Sequence, residues 1–226
     1  MANLLENVHS GLHFPEFGEK VRLIRGMYKY YHYLCDGFDD RVGYNLITLF
    51  LLIFALSPSF KGSVDQWASC LNDTEVKGVP TIPEIQECLV TIGDKPPSFI
   101  NSKDWIGSIE VSMCINQLYN VCSKIIHVPS GSELFNHVQT IESHFENFGS
   151  PIMMGGDQDA SSKGILGICV ASTTYLLVLD PHFVGKSSSR EELQERGWIK
   201  WKKLDEFLDF SFYNMCLPQQ KALGES

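Results

Sequence analysis

The chain has 226 residues, 44% of them hydrophobic and 20% charged, with a formal net charge of -9 at pH 7. That length suits a single domain, 1–226, which can bury a full core without disulfide or metal staples. The acidic balance excludes a surface built to hold a nucleic-acid backbone, which needs a basic face. Seven cysteines, at 35, 70, 88, 114, 122, 169 and 216, are odd in number and show no CxxC spacing. They read as reduced thiols of a cytoplasmic protein, most of them small core hydrophobes, and fit neither a disulfide frame nor a metal site.

Residues 1–20 form an extended lead-in with turn residues at Gly11, Pro15 and Gly18, and lack the basic-then-apolar order of a signal peptide. Residues 21–34 are rich in β-branched and aromatic side chains. Tyr28, Tyr30 and His32 alternate there with Lys29, Tyr31 and Tyr33, the period of a strand with two different faces. A turn rich in Gly and Asp follows at 35–40. The run 46–56, LITLFLLIFAL, is only eleven residues long before Ser57-Pro58. A bilayer span needs about 20 residues, so no transmembrane segment is expected. A buried core helix suits this run, and its branched and aromatic residues leave a strand open.

Thr81 and Glu84 bracket a capping box, and Ile85, Cys88, Leu89 and Ile92 follow at helical spacing up to a stop at Gly93. A proline-bearing loop leads through Trp105, a half-buried loop anchor, to a helix capped by Ser108 and running to about Asn120. A strand is expected over 123–128. Leu134, Phe135, Val138, Ile141 and Phe145 then mark a helical stripe ending at Gly149, which leaves His137 and His144 on the solvated face.

The densest information lies in 150–185. Three short apolar runs, 152–154, 165–170 and 175–179, are bounded by turn residues, with Gly155-Gly156 and a polar stretch separating the first two. Such runs read as buried strands of one sheet. The last ends in Asp180-Pro181-His182, and proline cannot continue a central ladder. A carboxylate and an imidazole leaving a core strand are two thirds of a nucleophilic triad. A loop acid beside a surface histidine is the plainer reading of the same three residues. Beyond it, Ser189 and Glu192 cap a helix stopped by Gly197, Trp198 and Trp201 are core or lid aromatics, 212–217 is a last strand, and 219–226 is a mobile tail.

Several motifs converge on one family. They are YKYYHYLCDGFDD at 28–40, GDKPP at 93–97, WIGSIE at 105–110, the stretches 150–156 and 164–169, and LLVLDPH at 176–182. Together they resemble the ubiquitin-fold modifier 1-specific proteases, in their short single-domain form, over about 5–218. The resemblance implies a papain-like α+β fold, a central antiparallel sheet flanked by helices. It implies Asp180 and His182 as the catalytic carboxylate and imidazole, Tyr33 as an oxyanion donor, and Trp105 as a lining of the channel for the modifier's tail. It implies hydrolysis after a glycine at that tail, for precursor maturation and for removal from target lysines, through a channel too narrow for a side chain. No cofactor or metal is implied. The partner would be ubiquitin-fold modifier 1 and its conjugates, and the chain would act as a monomer.

One motif departs. The family carries its nucleophile in a Gly-Trp-Gly-Cys signature at the start of a helix, where the dipole lowers the thiol pKa. Here 39–46 reads DDRVGYNL, without Trp or Cys. The expectation is a chain inactive as written, either a pseudo-protease that binds the modifier without cleaving it, or a splice or gene-model form of an active protease in which 42–61 replaces the native exon. A scaffold domain unrelated to proteolysis is the third reading.

Overall fold

The computed structural model describes residues 3–6, 8–15, 20–25, 29–32, 80–158, 162–180 and 189–219. The three apolar runs become β5 (Ile152–Gly156), β6 (Lys163–Val170) and β7 (Thr174–Leu179). Ile152, Met153, Ile165, Ile168, Leu176 and Leu179 are all buried, as continuous apolar runs covered on both faces should be. The sheet extends to either side through β9 (Tyr213–Pro218), β4 (Ser123–Val128) and β8 (Ile199–Lys203). Its order is β4-β9-β5-β6-β7-β8, with β2 (Lys20–Leu23) joining β6 beside that path. Each of these pairings is antiparallel.

β7 runs along one edge of β6, so β5 and β2 share the other: β5 takes Lys163 to Ile165 and β2 takes Gly167 to Val170. Gly167 permits the handover. A Cβ there would lie 2.5 Å from Leu23 Cδ2 and 2.7 Å from the Arg22 carbonyl oxygen, closer than atoms tolerate.

Among the described residues four helices flank this sheet, α1 (Ile82–Thr91), α2 (Ser108–Tyr119), α3 (Val138–Asn147) and α4 (Arg190–Glu195). α2 lies against β9, β4 and β5 with α1 packed on it, α3 covers β2 and β6, and α4 sits against β8. The architecture is the α+β one expected. α1 forms where its capping box says it should. Thr81 N–H and Oγ1 both donate to Glu84 Oε2, at 2.6 and 2.7 Å, and Glu84 N–H returns to Thr81 Oγ1 at 3.4 Å. Those bonds hold the Glu84 carboxyl below its usual range. Gly93 and Gly197 take the left-handed φ values, +80° and +72°, that end α1 and α4.

Several expectations are corrected. The single strand expected over 21–34 is two strands in two sheets: β2 pairs with β6, while β3 (Lys29–His32) pairs with β1 (Asn3–Glu6) in the lead-in. After β2, Ile24 N–H bonds the Leu166 carbonyl and Arg25 N–H the Gly149 carbonyl. The lead-in is also tied down at α4, where Gln194 Nε2 donates to the carbonyls of Val8 and Ser10. The segment 131–137 is a 3₁₀ helix that gives way to α3, and Phe135 stands 52% exposed, because three residues per turn rotate it off the α-helical stripe. His144 is buried and not solvated. The apolar run 46–56, Cys35, Cys70 and the tail beyond 219 lie outside the described residues. Among the described residues no helix is long and apolar enough to cross a membrane.

Candidate active site

Antiparallel register brings four strand ends together. Leu179 sits opposite Gly164, Gly164 opposite Met153, and the last two residues of β5, Gly155 and Gly156, face Asn214 and Tyr213 at the start of β9. The exit of β7, the entry of β6, the exit of β5 and the entry of β9 therefore lie at one end of the sheet. β7 and β5 are two strand spacings apart there, about 10 Å. Asp180 follows β7 at this end, half-buried, and its backbone N–H donates to the Trp198 carbonyl at 2.7 Å. Trp198, 1% exposed, thus anchors the strand exit from the β8 side.

At the same end a groove of ≈350 Å³ opens between the entry to α2, the end of β5 and the start of β9. Trp105 to Ser108 form one wall, Gly155 to Asp157 with Ser162 another, and Phe212 and Asn214 the third. Trp105 is 64% exposed, an indole presented at the mouth and not packed into a core. The β5 wall is bare backbone, and a side chain there is excluded at Gly156 and crowded at Gly155. A Cβ on Gly156 would lie 2.9 Å from the Phe212 carbonyl oxygen and 3.1 Å from Ser211 Oγ, and one on Gly155 would lie 3.2 Å from Ser108 Oγ. Sequence reading took these two glycines as separators between strands, whereas they are the last residues of β5.

The walls are held by specific bonds. Ser108 was expected to cap α2, but Gly107 is the N-cap and Ser108 the first helical residue, its Oγ donating instead to the Asn214 carbonyl at 2.9 Å. Glu110 closes the helix start: its Oε2 accepts from Gly107 N–H at 3.0 Å and its Oε1 from Lys95 Nζ at 2.9 Å. Burial pushes the Glu110 carboxyl up, but the Lys95 hydrogen bond and the backbone N–H groups outweigh it, so it stays charged below the usual range. Across the groove Asp157 Oδ1 accepts from Ser211 Oγ at 2.9 Å and Phe212 N–H at 3.1 Å, joining the end of β5 to the approach to β9.

Thiol chemistry is not available from the described cysteines at this place. Cys88, Cys114, Cys169 and Cys216 are buried. Cys114 has its pKa raised by a hydrogen bond with Cys88 and by burial, and burial pushes Cys216 up to about 12. Cys122, the exposed one, adjoins Ser123, which pairs with Pro218 at the far end of β9. Among the described residues no group of His, Cys, Asp or Glu is arranged to hold a metal ion.

Of the residues singled out in the sequence, Asp180 and Trp105 come to the same end of the sheet. Tyr33, His182 and the window 41–45 lie outside the described residues. Sequence reasoning missed Gly155, Gly156, Asp157, Phe212 and Asn214 as groove residues, and His127 as the contact behind Asn214 and Phe212. The Gly-Gly pair at the end of an apolar run was the one available signal, since a glycine inside a strand marks close approach of backbone.

Residues 19–216 match the profile described as Peptidase family C78. The chain belongs to that family. It is 39% identical over 223 residues to Ufm1-specific protease 1 of Mus musculus, covering 96% of this chain and 94% of that protein. It is 37% identical over 220 residues to Ufm1-specific protease 2 of Mus musculus, covering 96% of this chain but 44% of that protein. A crystal structure of UfSP from C.elegans superposes with a TM-score of 0.72 at 30% identity, over 97% of this chain and 38% of that one. This C78 chain thus spans less than half of the second relative and of the solved chain. The structural likeness makes its fold papain-like, as the motifs implied.

Proposed function

We propose that this chain recognises ubiquitin-fold modifier 1 by its C-terminal tail, held in the groove beside Trp105, and that this sequence holds the tail without thiol attack. One observation carries the reading: a groove walled by bare glycine backbone opens at the sheet end where Asp180 leaves β7. The relatives named as Ufm1-specific proteases 1 and 2 supply the substrate. A tail ending in glycine can lie against Gly155 and Gly156 with the Trp105 indole across it. Asp180 and His182 form the carboxylate–imidazole pair of a thiol protease in this reading, with Tyr33 donating to the oxyanion. In such an enzyme the imidazole takes the thiol proton and the aspartate fixes the ring. Residues 36–69 contain no cysteine, and loss of a triad nucleophile costs several orders of magnitude in rate.

A second reading is favoured by the 39% identity across nearly all of a relative named as a protease: a working enzyme that matures the precursor and removes the modifier from conjugates. The two are separated by incubating the full chain with the modifier carrying a C-terminal propargylamide and with an immobilised modifier ending in glycine. Capture on the resin without covalent labelling, lost in Trp105→Ala, is the expected result. A covalent adduct at any cysteine establishes the second reading. Failure of both probes rejects the modifier as ligand.

A further inference from the structure

A terminal glycine offers its receptor only main-chain groups at that residue, so polar atoms of the groove must do the discriminating there. Asn214 is placed for this. It faces His127 across the β4–β9 pair, which puts both side chains on one face of the sheet. His127 Nδ1 lies 2.8 Å from Asn214 Oδ1. An amide oxygen only accepts, so the imidazole donates its Nδ1–H. That bond turns Oδ1 toward His127 and leaves the Nδ2 amino group on the other side of the amide. The main-chain carbonyl of Asn214 is already taken by Ser108 Oγ. Among the described residues no hydrogen bond from Asn214 Nδ2 is made within the protein. His127 also leans on the Phe212 ring, with centroids 5.6 Å apart at 43°, so the same imidazole braces a second lining residue.

The geometry points to Asn214 as the groove's donor to a main-chain carbonyl of an extended peptide, with His127 as the positioning residue that fixes the amide. This rests on the tail recognition proposed above and adds the group that sets the tail's register. The Trp105 indole supplies apolar contact that is indifferent to sliding along the chain. A directed N–H···O=C bond is not, because moving the peptide one residue points the carbonyl to the opposite side. A groove that presents a donor also rejects chains that leave it unpaired.

Calorimetric titration of the full chain with modifier ending at its glycine, and with modifier lacking its last six residues, tests the assignment. Asn214→Ala is expected to weaken binding of the intact modifier by roughly fivefold to tenfold, the worth of one neutral hydrogen bond. It should leave the weak binding of the truncated form unchanged. His127→Phe, which keeps a ring against Phe212 but removes the donor, should weaken binding to a smaller degree. The double variant should be no worse than Asn214→Ala alone. The side-chain NH2 resonance of Asn214 should shift on titration with a tail peptide, a signature that a merely structural amide would not give. If Asn214→Ala binds within twofold of the parent while Trp105→Ala does not bind, the assignment is wrong and the tail groove stands. If the parent chain does not distinguish intact from truncated modifier, both fall.

Discussion

Ser108 and Asn214 lock the first turn of α2 to the first residues of β9, through a 2.9 Å bond from a buried hydroxyl to a strand carbonyl. The bond spans 106 residues of sequence and joins two residues that line the groove. Ser108→Ala leaves that carbonyl without its partner, and the expected cost is about 1–2 kcal/mol in urea unfolding. Because the loss lies between two walls, affinity for glycine-ended modifier should fall along with stability. Unchanged affinity in a destabilised variant would show that groove width does not matter.

Gly156→Ala places a Cβ 2.9 Å from the Phe212 carbonyl oxygen, and strand backbone on both sides has little room to give. The end of β5 must move away from β9, an overpacking cost of about 1–3 kcal/mol. Modifier binding should be lost more completely than stability. Gly155→Ala, whose nearest neighbour is the Ser108 hydroxyl at 3.2 Å, should be the milder of the two. The reverse ranking in thermal unfolding and binding would contradict the wall geometry.

How far these features could be foreseen depends on whether their causes are local. β6 and β7 were legible because continuous apolar runs next to Gly and Pro have few other solutions, and α1 because Thr81 and Glu84 stand three residues apart. The division of 21–34 was not legible, since β2 and β3 choose partners near residues 167–170 and 3–6. The amide of Asn214 was equally hidden, because its orientation depends on His127, 87 residues away. His144 was misplaced for a different reason. Ile141, His144 and Phe145 share a helical face, and a polar residue was read as leaving the stripe it belongs to.

Thr81→Ala removes the capping box at the start of α1, and Glu84 loses the hydroxyl at 2.7 Å. An N-cap threonine replaced by alanine costs about 1 kcal/mol. The groove lies on α2 and not α1, so modifier binding should be unchanged. A fall in affinity equal to that in Ser108→Ala would mean the helices move as one body.

Alkylation by iodoacetamide should mark one described thiol in the native chain. Cys122 is exposed, whereas burial holds Cys216 at a pKa of about 12, and the hydrogen bond with Cys88 together with burial pushes Cys114 upward. At pH 8 a thiol with a pKa near 12 is ionised to about one part in ten thousand, so its native rate should be negligible. Mass mapping should show Cys114 and Cys216 labelled only in denaturant. Fast labelling of Cys216 in the folded chain would refute its burial beneath α2.

Acid should unfold this protein through His144. The imidazole Nε2–H donates to the Ser150 carbonyl at 2.9 Å, and Ser150 Oγ, 3.1 Å from the same nitrogen, donates to the Pro218 carbonyl at 2.7 Å. The ring packs against Phe145 and Phe148. Burial lowers its pKa from 6.5 to about 4, although the bond to Ser150 opposes the shift. The folded state therefore binds its proton less readily than the unfolded chain does. The stability is fully present above pH 6.5 and is lost as pH falls toward 4, by about 3 kcal/mol in all. His144→Gln, which can still donate to Ser150, should start lower at pH 7 and decline less between pH 6.5 and 4. Urea midpoints across that range test this: parallel slopes for parent and variant would show that the acid sensitivity lies elsewhere.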